Sequence, residues 1–184
     1  MLKFIKKNNF YERKLYNKIL TLSRDKLFFL NFDLSDTFQN RINLIFFHVS
    51  FIFIKFKKMS KNRDYDIFAQ NLFNCIFGEI ENNIRENGFG DATVNKNMKF
   101  LVKVFYNILI KCESFNKNAE KNKQIFLFKY LLLNKQSKNP MNLELVDYFN
   151  KYETFCFDLN PDSILKGKLN FIYKKAYNNG STKT

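Results

Sequence analysis

The sequence predicts an all-α protein: a single globular domain of about six or seven helices around a largely buried central helix. Apolar residues recur at three- and four-residue spacing along nearly the whole 184-residue chain. Only 5 Gly and 2 Pro occur, too few turn-formers for a many-stranded sandwich or barrel. Hydrophobic residues make up 46% and aromatics 18%, which supplies a sizeable core and argues against disorder. The length suits one domain, set at residues 11–177, with a basic extension over 1–10 and a flexible tail over 178–184.

The elements follow from the spacing. Tyr11 to Leu22 reads as a short helix with Leu15, Ile19 and Leu22 on one face. The loop from Ser23 through Asp36 carries Phe28, Phe29, Leu30 and Phe32, either as anchors on the core or as contacts offered to a partner. The central helix spans Thr37 to Ser60. Ile42, Ile45, Phe46, Val49, Ile52, Phe53 and Phe56 form one stripe, and Leu44, Phe47, Phe51 and Ile54 fill the other side, as in a helix buried all round. A third helix runs through Phe68, Leu72, Phe73, Ile76, Phe77, Ile80 and Ile84, and Gly88 stands where a left-handed C-cap belongs. Gly88 and Gly90 are both expected to be sensitive for backbone reasons.

The fourth helix starts near Thr93, buries Val94, Met98, Leu101, Val102, Phe105 and Leu109, and carries Lys96, Lys99 and Lys103 on its other side. Residues Asn118 to Asn134 read as a fifth helix. Asn139-Pro140 and Asn160-Pro161 each place a capping residue before proline at the first helical position. They open helices from Pro140 to Phe157 and from Pro161 to Lys166.

The charge is +14, from 31 basic and 17 acidic residues. Lysine supplies 26 of those basic residues and arginine 5, and 26 Asn, 15 Ile and 24 Phe accompany them. An AT-rich genome imposes such a composition on any protein, so the charge reads either as drift or as a surface for nucleic acid or anionic lipid. Scarce arginine, the better fork for phosphate and base edges, weakens the nucleic-acid reading.

Cys75, Cys112 and Cys156 are far apart and lie in apolar stretches, without a CxxC pair; a reducing compartment fits. Met1 to Leu15 has lysines but no apolar core of a secretory signal. Ile42 to Phe56 is apolar at eleven of fifteen positions, yet Arg41, His48 and Lys55 bound or interrupt it, short of the roughly 20 residues a span needs. Two basic clusters, Lys3/Lys6/Lys7/Arg13/Lys14 and Lys55/Lys57/Lys58/Lys61/Arg63, allow peripheral attachment to an anionic membrane from the cytoplasmic side.

Catalytic chemistry fails on inventory. His48 is the only histidine and lies in the most apolar helix, as a core residue does. Gly88-Phe89-Gly90 follows a helix rather than a strand and lacks GK[ST], so it reads as a tight interhelical turn rather than a phosphate loop. Glu79 and Glu81 fall on different helix faces. No enzyme activity, cofactor, metal or small-molecule substrate is expected.

Residues 85–106 carry the informative pattern: Arg85, Glu86, Gly88, Gly90, Asp91, Val94, Lys96, Lys99, Phe105 and Tyr106. This resembles the R-E-x-G-V-G-D-x-S-V-x-K-K-V-K-x-M run, followed by F-Y, of the ubiquinol–cytochrome c chaperone family, alphaproteobacterial type. The family's L-Y, D-T-x-x-x-R and H-V order reappears as Leu15-Tyr16, Asp36-Thr37, Arg41 and His48-Val49. Departures are Phe89 for a smaller apolar residue, Thr93 for Ser, Asn97 for Lys, Phe100 for a basic residue and Asn107 for Gly.

The resemblance implies a non-enzymatic assembly factor for ubiquinol–cytochrome c reductase whose client is newly made cytochrome b, working near the ribosome and the membrane. Asp36, Thr37, Arg41, His48, Arg85, Gly88, Gly90, Asp91, Lys96, Lys99 and Tyr106 are its candidate motif residues, for partner contact or for holding the structure. Residues alone leave a second reading, a Lys-rich helical RNA- or ribosome-binding protein.

Overall fold

The computed structural model describes residues 9–59, 63–134 and 143–173. In chain order the helices are α1 (Phe10–Ser23), α2 (Lys26–Leu30), α3 (Phe38–Lys58), α4 (Arg63–Glu86) and α5 (Asp91–Cys112). A 3-10 turn (Phe115–Lys117) then leads to α6 (Glu120–Tyr130), α7 (Leu143–Asp158) and α8 (Pro161–Leu165). Each expected helix is present, and α2 is an addition to them. The protein is all-α, with one isolated bridge, Leu34 to Leu133, among the described residues. Most of the basic extension, the Asn139-Pro140 pair and the tail over 178–184 lie outside the described residues.

α3 is the axis of the fold and packs against α1, α4, α5 and α7. From Ile42 to Ile52 every side chain on it is buried. Phe46 faces one way, 5.5 Å from the Phe77 ring of α4 and 5.4 Å from Phe105 of α5. Phe47 faces the other, 5.3 Å from Phe126 of α6 and 5.2 Å from Phe149 of α7. An all-round apolar helix is stable only when enclosed on every side, and these rings do the enclosing. Truncating one such ring to Ala costs about 3–5 kcal/mol.

The loop aromatics resolve as anchors. Phe28 and Phe32 are fully buried, and Phe28 lies edge-on to Tyr148 at 4.9 Å. Phe29 is half-buried beneath the Arg41 guanidinium, 4.9 Å from the ring centre. Asp25 accepts from Leu27 N and starts the single turn of α2, too short for a periodicity argument to detect.

The fifth expected helix is corrected at both ends. It starts at Glu120 rather than Asn118 and stops at Tyr130 rather than Asn134. Leu131 to Asn134 pair with the chain before α3 instead: Ser35 N donates to Leu132 O, and Asn134 N donates to Asp33 O. Buried Asn40 staples the two segments, donating to Ser35 O and Leu132 O and accepting from Leu132 N. Three good hydrogen bonds to one side chain, two of them to distant Leu132, outweigh the few tenths of a kcal/mol per residue that helix propensity offers. The fourth helix likewise begins at Asp91, two residues before Thr93.

Candidate functional site

The D-T-x-x-x-R run is an entry device for α3. Thr37 caps the helix, its Oγ1 accepting from Asn40 N at 3.2 Å. Arg41 donates from Nε and Nη2 to the two Asp36 oxygens, at 2.6 and 2.8 Å. That fork holds the Asp36 carboxyl below and the Arg41 guanidinium above their ordinary values.

Arg85 performs the equivalent task at the other motif. It donates to Glu81 Oε1 within α4 and to Asp91 Oδ1 at the first residue of α5, so it bridges the turn between the two helices. Its partners raise its pKa, Asp91 most. Gly88 has φ +82°, the left-handed conformation its C-cap position needs. Gly90 corrects the expectation: at φ −70° it caps α5 in extended backbone open to any residue, with nothing within 4 Å of a Cβ placed there.

His48 is sealed in the core at 0% exposure. Its Nδ1 lies 2.6 Å from Leu44 O, and a carbonyl only accepts, so Nδ1 carries the proton. Its Nε2 then accepts from Tyr148 Oη at 2.7 Å, and Tyr152 Oη donates to the His48 carbonyl. Burial depresses its pKa from 6.5 to about 4, against a smaller opposing pull from Leu44 O. A neutral imidazole with both nitrogens engaged is a core fixture, not a base facing substrate.

With these side chains consumed in holding the structure, what they hold comes into view. The two motif blocks meet at an open groove of about 470 Å³. Phe38 and Gln39 of α3 form one wall, and Asn87 and Phe89 the end. Asn97 and Phe100 of α5 form the other wall, with buried Ile84 and Leu101 as the floor. Phe38, Phe89 and Phe100 are 50%, 51% and 57% exposed. Covering each would contribute about 1 kcal/mol, half the value of full burial. The three rings stand around one opening with an apolar floor, a shape suited to contact with another apolar surface.

Lys96 and Lys99 are exposed on α5 beside this groove, and Tyr106 lies apart, its ring 6.2 Å from Phe73. Of the groove residues, Phe89, Asn97 and Phe100 are visible in the sequence as departures from the family pattern. Phe38 was missed, although an aromatic at the first helical position after an Asp-Thr cap has no core to enter. The lysines ending α3 prove to be engaged. Lys57 pairs with Glu113 at 2.6 Å, Lys55 donates to Phe157 O, and Lys58 sits 4.0 Å from the centre of the Phe157 ring. Cys112 and Cys156 are buried, which pushes their thiols well up and leaves them unreactive.

Among the described residues no helix is long and apolar enough to cross a membrane. No protein of curated function is detectably similar in sequence. The fold is similar to the crystal structure of the Cbp3 homolog from Brucella abortus, with TM-score 0.76 and 20% identity over 90% of this chain and 91% of that one. The family model for the ubiquinol–cytochrome C chaperone matches residues 30–169, a span that includes the Asp36–Arg41 and Arg85–Asp91 motifs and the groove. The chain belongs to the ubiquinol–cytochrome c chaperone family.

Proposed function

We propose that the protein is a non-enzymatic assembly chaperone for ubiquinol–cytochrome c reductase and that it holds newly made cytochrome b on the α3–α5 groove. The observation that carries this reading is the trio Phe38, Phe89 and Phe100, half-exposed on a rim that Asp36–Arg41 and Arg85–Asp91 fix in place. A client destined for lipid has apolar helix faces to shield, and a groove with an apolar floor and aromatic rims shields them without a chemical step. The neutral, enclosed His48 supports the non-enzymatic part.

The test is a photo-crosslinking phenylalanine analogue at Phe100 in respiring cells. Cytochrome b as the main adduct is the expected result. Adducts without cytochrome b, from a variant that still supports reductase assembly, refute the client assignment.

Work on such a client places the protein at the cytoplasmic face of the membrane, near the ribosome. The outward side of α1 favours this, because Phe10 and Tyr11 are 61% and 48% exposed next to Lys14 and Lys18. Attachment of this kind is released by high salt, since the Debye length falls from about 8 Å to about 3 Å at 1 M. A membrane-bound fraction that only detergent extracts, or no bound fraction at low salt, contradicts it. The alternative reading, RNA or ribosome binding, rests on the exposed lysines of α5 and predicts affinity falling steeply with log salt.

A further inference from the structure

We propose that the occupant of the groove is an amphipathic helix whose apolar stripe is flanked by acidic side chains, a recognition built from Phe100 between Lys96 and Lys103. This rests on the groove being the client site and adds the partner's chemistry to it. Lys96 stands four residues before Phe100 and Lys103 three after it, so the three share one face of α5. All three are exposed. Among the described residues neither lysine makes an ion pair, whereas Asp36, Glu81 and Asp91 at this end of the fold are each held by an arginine. The rim therefore presents an aromatic ring between two uncommitted cations.

The groove walls are helices whose backbone groups bond internally, so an extended strand finds no ladder to join, whereas a helix satisfies its own backbone and offers side chains alone. Its apolar stripe would cover Phe38, Phe89 and Phe100, and its flank would lie against Lys96 and Lys103. Electrostatic complementarity of this kind selects among apolar helices more than it adds affinity, which is what a chaperone facing many hydrophobic segments requires.

The test uses the purified full chain and synthetic peptides of about 18 residues, long enough to be helical. One peptide carries a Leu stripe flanked by Glu, another the same stripe flanked by Lys. Fluorescence anisotropy should show the Glu-flanked peptide binding about tenfold more tightly, two exposed pairs being involved. The K96E/K103E double variant should reverse that preference, and Phe100→Asp should weaken both peptides. Both substitutions are at exposed positions and leave the melting temperature near that of the parent.

Equal affinity for the two peptides, or a preference unmoved in K96E/K103E, overturns the inference. So does a poly(U) RNA that binds through these lysines when neither peptide does, or a homodimer that Phe100→Asp dissociates. Cytochrome b crosslinked at Phe100 without any charge preference among the peptides overturns this inference alone and leaves the client assignment standing.

Discussion

Acidification should destabilise this protein through one buried side chain above all, His48. The ring is enclosed, bonded through Nδ1–H to Leu44 O and through Nε2 to the Tyr148 hydroxyl, and its pKa falls from 6.5 to about 4. Between those values the unfolded chain binds a proton that the folded chain excludes, so stability rises with pH across the window. The contribution is fully present above pH 6.5 and is lost as pH falls to about 4. At 1.36 kcal/mol per pH unit it amounts to about 3 kcal/mol, a large share of a typical domain's 5–15 kcal/mol. Urea unfolding of the parent and of His48→Gln, from neutral pH to about pH 4, isolates the effect. Gln can bond to Tyr148 but does not titrate, and subtraction removes other titrating groups such as Asp36. The parent should lose about 3 kcal/mol more than the variant over this range. Parallel pH profiles would refute the reasoning and show that the imidazole is hydrated or already charged in the folded state.

Four further substitutions read the structure directly. Tyr148→Phe leaves the buried His48 Nε2 without its donor and should cost about 1–3 kcal/mol in urea unfolding; a neutral effect would mean that the bond is not made. Gly88→Ala forces a side chain into φ +82° and should cost about 1 kcal/mol, whereas Gly90→Ala should change the melting temperature little. Gly167→Ala should exceed Gly88→Ala, because at φ +66° its Cβ would also meet Tyr11 O at 2.9 Å and the Lys14 side chain; equal melting temperatures would contradict that contact.

What the sequence disclosed follows from what periodicity can encode. The long helices were legible because a stripe such as Phe68–Leu72–Ile76–Ile80–Ile84 has a single structural meaning, and Asn160 before Pro161 marked α8 through its side-chain cap to Asp162 N. Both features are local. The end of α6 was not legible, since it is set by Asn40, some ninety residues earlier in the chain. Gly167 went unremarked because its need is also tertiary, a close approach to α1.

The candidate site divided the same way. Asp36, Arg41, Arg85, Gly88 and Asp91 stand out by motif, and they turn out to build the groove rather than line it. The aromatic part of the lining comes from two separate stretches, Phe38 at the start of α3 and Phe89 and Phe100 within residues 85–106, and the packing of α3 against α5 brings them together.

The most direct test of the central claim is the level of assembled ubiquinol–cytochrome c reductase in cells lacking the gene, complemented with either the parent or an F89D/F100D variant. Both changes are at exposed positions, so the variant should fold and accumulate normally. Loss of the gene should lower cytochrome b and the assembled reductase while other respiratory complexes persist; the parent should restore both and F89D/F100D should not. Unchanged cytochrome b in the deletion strain, or full rescue by F89D/F100D, would contradict the account.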